Sequence, residues 1–469
     1  MVWASGYDDG VSSSPWQKSR QAECLPHLRR KLLIRGGGAG GFACVADPRR
    51  LLPRAARAIV VLAALLLSPI LHAYSVLTHE AIIDTAWSHE LREVILKRFP
   101  NATPDELVRA HAVAYAGAII QDLGYYPFGN KFFSDLTHYV RSGDFIVNLV
   151  KEAQTLDEYA FALGALAHYA ADTQGHSIAV NRAVAMEYPK LRRKYGDIVT
   201  YADDKTSHMR VEFSFDVLQV ARGNYAPQAY HDFIGFDVKV DLLQRAFHDT
   251  YSLDMSDLFG NLNLSLSTYR KAVSTFIPEL TRVAWTMKKD DMVKAEPTVT
   301  RKKFVYNMKR AAYRKEWRDK YKEPGIGTRI LAFLIRILPK IGPLKALSFK
   351  PPTPQTESLF QLSFDRTMDE YRRLLADAAA GRLSLPNRDF DTGNPTRPGE
   401  YKLADETYAK LAIELAEKDP GTVSPDIRAE VLRFYADLSR SYATKKNPKE
   451  WGKTVAAIDR LRGAQELQR

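Results

Sequence analysis

Cysteine is nearly missing from this chain. Cys24 and Cys44 are the only two in 469 residues, and both lie near the N-terminus. The strict alternation of apolar and polar positions that marks half-buried strands forms no convincing series, and no internal repeat is evident. No apolar run is long enough to cross a bilayer unaided. Each absence excludes something. A body without cysteine cannot lean on disulfides, so its stability rests on core packing and any bound metal. Without alternation, sheet-based folds drop out. An apolar content of 45% with 26% charged residues excludes a membrane-spanning or disordered chain and leaves a globular one.

The first 73 residues do not read as part of that globule. "RRLLPRAARAIVVLAALLLSPILHA" has a basic start, an apolar stretch from Ala58 to Leu67 and a short exit ending at Ala73, the layout of a secretory signal peptide. Upstream, "RGGGAGG" and its surroundings read as an oversized leader or a misplaced translation start. The expectation is an exported protein, periplasmic or secreted, cleaved near Ala73. Residues 1–73 carry 10 Lys+Arg and 4 Asp+Glu, which is +6 of the formal +12, so the remaining chain is only mildly basic. Both cysteines would leave with the leader.

Helix signals fill the rest, and the fold class predicted is all-α. "THEAIIDTAWSHELREVILKRF" is closed by Pro100, and "TPDELVRAHAVAYAGAIIQDLG" opens on a Thr-Pro-Asp-Glu start signal and ends at Gly124. "TLDEYAFALGALAHYAADTQGH" is a small-residue-rich helix of the buried type, and "HMRVEFSFDVLQVARG" ends at Gly223. An aromatic loop is expected between Gly124 and Asp144. From Lys288 to Lys322 the chain holds 13 basic and 5 acidic residues, followed by the apolar-basic run "RILAFLIRILPKIGPLKAL" and the break "KPPTPQT". The last hundred residues read as two or three polar helices around a "LPNRDFDTGNPTRPGEY" loop. Three parts follow: a leader over 1–73, a catalytic domain over 74–287, and a helical C-terminal extension over 288–469, basic at its start.

His168, Asp172 and His176 recur every four residues, so a helix projects them from nearly one face. Three polar groups on an otherwise Ala-, Leu- and Tyr-rich helix are costly to bury unless paired or bound to a cation. His208 and Glu212 repeat the spacing elsewhere. Imidazole with carboxylate suits Zn²⁺. A lone histidine is ordinarily a surface or core residue, and His89, His111, His231 and His248 are read that way.

The ordered segments "YSVLTHEAII", "GAIIQDLGYYP", "DLTHYVRSGDF", "ALGALAHYAADTQGH" and "SHMRVEFSFD" resemble the zinc-dependent phospholipase C family, whose multi-helix bundle is shared with fungal single-strand-specific nucleases. The resemblance runs from about residue 74 to 216. It implies three zinc ions: one held by Asp122, His138, His168 and Asp172, and one by His176, His208 and Glu212. The third would take His79, a bridging oxygen of Asp172, and the α-amino nitrogen and carbonyl oxygen of Tyr74, freed by cleavage after Ala73. The implied reaction is hydrolysis of a phosphodiester by a zinc-activated water, with Asp122 to orient or deprotonate that water. Where the family usually has Pro and an apolar residue before the third helical histidine, this chain has "TQGH", and Gly175 weakens the helix end. Glu212, where the nucleases carry Asp, favours the phospholipase side. The implied substrate is a phospholipid or other phosphodiester, with no stable nucleic-acid partner. A single-strand nuclease and a non-catalytic zinc-containing lipid-binding protein are the alternatives.

Two regions leave their use open. Tyr125, Tyr126, Phe128, Phe132 and Phe133 suit a quaternary ammonium cage, a stack for nucleobases, or plain core packing. The basic-then-apolar stretch 288–350 suits an anionic bilayer surface, or equally a solvated helix and a buried hairpin.

Overall fold

Two glycines set a close helix crossing. In the computed structural model, α1 (Val76–Ala86) runs through a wide π-type turn (Trp87–Leu91) into α2 (Arg92–Arg98), and α3 (Pro104–Gly117) follows. Further on come α4 (Lys131–Tyr139), α5 (Ser142–Glu152) and the long α6 (Leu156–Gln174). Helices α3 and α6 share the most extensive helix–helix contact among the described elements. A Cβ on Gly117 would sit 2.0 Å from the Phe161 carbonyl oxygen, and one on Gly164 would sit 2.1 Å from that of Ala114. Only hydrogen fits at either place, so the two backbones touch. Thr103 with Glu106 and Thr155 with Glu158 form capping boxes that fix where both helices start.

The structure describes residues 76–222, 238–273, 348–442 and 448–467, with 277, 280 and 284. The leader, Tyr74, His231, the stretch 288–322 and all of 329–350 but its last three residues lie outside the described residues. Arg54–Arg469 cluster as one unit. After α6, a second π-type turn (Gly175–Val180) leads into α7 (Asn181–Glu187), then α8 (Pro189–Tyr195), α9 (Lys205–Arg222), α10 (Val240–Tyr251), α11 (Met255–Leu258) and α12 (Leu262–Lys271). The C-terminal part supplies α13 (Pro354–Ala379), α14 (Lys402–Glu417), α15 (Pro425–Phe434) and α16 (Pro448–Leu467). No strand occurs among the described residues, only one antiparallel bridge between Arg388 and Pro395. None of the described helices is long and apolar enough to cross a membrane.

One local expectation changes. The stretch 124–144 is mostly helical: a short 3₁₀ segment (Ile120–Tyr125) precedes α4, which Asn130 caps by accepting from the Phe132 N–H. Arg141, with φ 48°, makes the break into α5. Aromatic density and turn residues hid both helices. The rings there are mostly core: Tyr125, Tyr126, Phe132 and Phe133 are buried, with Tyr126 edge-on to Tyr269 and Phe133 between Phe247 and Phe259. Only Phe128 of the five is exposed. Gly175, expected to weaken the helix end, follows the last residue of α6 and opens the wide turn that carries the chain onward into α7.

Candidate metal centre

Each candidate side chain is delivered by a different packing device. Asp216 of α9 accepts from the Leu77 N–H and the Thr78 hydroxyl at 3.0 and 2.7 Å, pinning the start of α1 and with it His79. The 3₁₀ segment after the α3–α6 crossing carries Asp122. His138 stands on α4, His168 and Asp172 on α6, His176 in the π-type turn, and His208 with Glu212 on α9. All of these side chains are buried.

They meet in three groups. His79, His168 and Asp172 bring one donor atom each within 4.8 Å of one another, and so do Asp122, His138 and His168. Asp172 stands between the two sets. Its Oδ1 lies 3.3 Å from His79 Nε2, while its Oδ2 lies 3.1 Å from His168 Nε2 and 3.5 Å from His138 Nε2. His138 Nε2 is 3.3 Å from Asp122 Oδ1 and 3.4 Å from His168 Nε2. The His79 and His168 rings stack at 4.5 Å. In the third group Glu212 Oε1 approaches His208 Nδ1 at 2.7 Å and His176 Nε2 at 3.7 Å. Tyr74 lies outside the described residues.

His138, His168, His176 and His208 each have a ring nitrogen already committed to an acceptor. His168 Nδ1 donates to the Ala118 carbonyl at 2.9 Å and His138 Nδ1 to that of Ser134 at 2.8 Å. His176 Nδ1 donates to Asp391 Oδ1 at 3.0 Å, and His208 Nε2 to Asn181 Oδ1 at 2.9 Å. In the neutral ring the remaining nitrogen of each is the unprotonated one, and it is turned to the carboxylates. This is the arrangement in which histidine binds metal.

The donor set fits zinc. Donor separations of 3.1–3.5 Å around His138, His168 and Asp172 compare with about 3.4 Å for the edge of a tetrahedron around an ion with 2.0–2.1 Å bonds. Asp122 Oδ1, both Asp172 oxygens, His176 Nε2, His208 Nδ1 and both Glu212 oxygens are buried without an aligned hydrogen bond. The 2.7 Å approach of His208 to Glu212 is close but misdirected, with lone pairs meeting where a cation belongs. Unsatisfied buried polar atoms cost about 1–3 kcal/mol each, so a cluster of them calls for a ligand.

Electrostatics point the same way. Burial works against charge on His138, yet the Asp122 and Asp172 carboxylates outweigh it and lift its pKa to about 10. Burial also opposes charge on Asp172, but the surrounding histidines hold it well below the usual carboxylate range. A field that binds a proton so firmly is one that binds a divalent cation. Burial and then the neighbouring His176 push His208 down to about 3, while burial and the Asp172 and Asp391 charges push Glu212 well up.

The site also includes residues that sequence reasoning missed. Asp391, with Phe390 and Asp389, comes from the loop between α13 and α14, and Asn181 opens α7. The Phe390 N–H donates to the His138 carbonyl at 3.2 Å, and its ring lies 5.1 Å from His138 and 6.0 Å from His168. Nothing in "LPNRDFDTGNPTRPGEY" distinguishes these residues from ordinary turn formers; only the burial of two aspartates in the folded chain does.

Residues 78–261 match the family model described as zinc dependent phospholipase C. No curated protein and no solved structure matches the chain. The matched segment holds every described candidate ligand from His79 to Glu212 and ends well short of Asp391.

Proposed function

We propose that the chain is an exported zinc-dependent phosphodiesterase that hydrolyses phospholipids in the phospholipase C manner. The observation that carries the reading is Asp172 dividing its two oxygens between two histidine sets inside a family-matched domain. Asp122, His138, His168 and Asp172 would hold one ion. His79 and Asp172, with the amine and carbonyl of Tyr74, would hold another, and His176, His208 and Glu212 a third. Bound zinc supplies Lewis-acid activation of water and charge neutralisation on phosphate oxygens.

The protein's own groups do the rest. Ala118, Ser134 and Asn181 fix the imidazole tautomers, so no ring must reorient during turnover. Asp122 is the carboxylate of its set that orients the attacking water and accepts its proton. Its 3.3 Å spacing from His138 leaves that proton a place beside the centre. The basic stretch 288–322 and the run after it supply contact with an anionic bilayer in this reading, through roughly 1 kcal/mol per cation near the surface. Cleavage after Ala73 would free the Tyr74 amine, so export and assembly of the centre are coupled.

Purified chain starting at Tyr74, assayed on phosphatidylcholine vesicles and on single-stranded DNA with and without chelator, tests the proposal. Chelator-sensitive release of phosphorylated head group is expected. Cleavage of DNA alone, or turnover indifferent to chelator, would contradict it. One extra residue before Tyr74 is expected to cost a zinc and most activity.

A further inference from the structure

The loop over 385–396 lies outside the family-matched segment, yet it is bonded to the centre along its whole length. Tyr169 donates its hydroxyl to the Pro386 carbonyl at 2.8 Å, and Asn387 Oδ1 accepts the Gly143 and Asp144 N–H groups in the first turn of α5 at 3.0 Å each. Ser142 exchanges hydrogen bonds with the Arg388 backbone, and Thr396 donates to the Tyr139 carbonyl at 3.1 Å. Gly393, at φ +72°, passes so close to α6 that a Cβ would meet the Thr173 carbonyl oxygen at 2.5 Å. These contacts deliver one fully buried carboxylate. Asp391 Oδ1 faces His176 Nδ1 at 3.0 Å, and Oδ2 accepts the hydroxyls of Tyr139, at 2.9 Å, and Tyr401. The Asp391 carbonyl takes the Asn181 amide at 2.7 Å, and the other end of that same amide holds His208.

We propose that Asp391 is a positioning residue for the metal ligand His176, so that the chain beyond the family-matched segment completes the third zinc site. The carboxylate fixes the Nδ1–H tautomer and aims Nε2 at Glu212, and it makes the imidazole a more basic donor. Through Asn181 the same loop residue also restrains His208, so both histidines of that site answer to one segment 180 or more positions away.

The inference rests on the zinc reading above, and its test separates the two. Zinc affinity of each site is measured on the full chain by chelator competition, for the wild type, Asp391→Asn, His176→Ala, the double variant, and Asn387→Ala. Asp391→Asn is expected to weaken one zinc by roughly ten- to a hundredfold and leave the others unchanged. The double variant should lose no more than His176→Ala alone, because Asp391 acts through that ring. Asn387→Ala loosens the same loop and should lower Tm while weakening the same zinc by less than Asp391→Asn does. Wild-type affinity in Asp391→Asn, or losses that simply add with His176→Ala, would overturn the inference. Should Asp391→Asn fail to fold, Tyr401→Phe removes one donor from the same carboxylate, and unchanged affinity there would overturn it equally. A wild type that binds no zinc would defeat the zinc reading itself.

Discussion

At the scale of single residues, the centre is defined by which ring nitrogen is already occupied. His138, His168, His176 and His208 each give one nitrogen to a fixed acceptor and turn the other to a carboxylate. Asp122 has no such outer partner on Oδ1. Asp122→Asn is expected to cut phosphodiester turnover by roughly a hundred- to ten-thousandfold. Turnover within threefold of wild type would remove Asp122 from the proton step. Asn181→Leu keeps the volume but leaves His208 Nε2 and the Asp391 carbonyl without their amide, so a loss of about 1–3 kcal/mol in urea unfolding is expected for each group stranded. No loss of stability would mean that water replaces the amide. The spacing of His168, Asp172 and His176 was legible because a helix makes i, i+4 neighbours by geometry alone. Asp391 was not, since it meets His176 across 215 positions.

At the scale of elements, the site depends on how closely α3 and α6 approach. Asp122 follows α3, His168 and Asp172 belong to α6, and the Gly117–Gly164 crossing sets the gap between them. Gly164→Ala must part the backbones, with a cost of about 1–3 kcal/mol or more in denaturant unfolding and a parallel loss of zinc. The double variant Gly117→Ala/Gly164→Ala should cost less than the two separate losses together, because one separation relieves both clashes. Strict additivity, with zinc intact, would show that the crossing does not govern the centre. Helices α3 and α6 were readable from their Thr-to-Glu capping boxes and apolar runs. Helices α4 and α5 were not, because each is short and begins at a device, the Asn130 cap and the left-handed Arg141, that resembles a turn in sequence.

At the scale of the whole molecule, the C-terminal part is packed against the family-matched segment. Helix α13 lies along α6, with the Tyr371 hydroxyl on the Leu163 carbonyl at 2.9 Å. Glu187 at the end of α7 accepts from Thr356 on α13 at 3.2 Å, with Lys350 beside it. Burial raises the Glu187 pKa to about 7 in spite of Thr356 and Lys350. Below the ordinary glutamate pKa both folded and unfolded chains carry the proton, so nothing is lost there. As pH rises from about 4.5 to 7 the unfolded chain releases it first, and about 3 kcal/mol of stability goes. Glu187→Gln is expected to flatten that part of the Tm–pH curve and to be the more stable form at pH 8; an unaltered curve would exclude Glu187 as its source. Such long-range packing leaves no local pattern in a sequence, which is why the last hundred residues read only as polar helices. The account turns on donors from α1, α4, α6 and α9 holding divalent cations together. Its most direct test is anomalous diffraction at the zinc edge from crystals of the chain starting at Tyr74. Peaks between Asp122, His138 and His168, between His79 and Asp172, and beside His176, His208 and Glu212 are predicted; the same side chains ordered around no anomalous scatterer would contradict it.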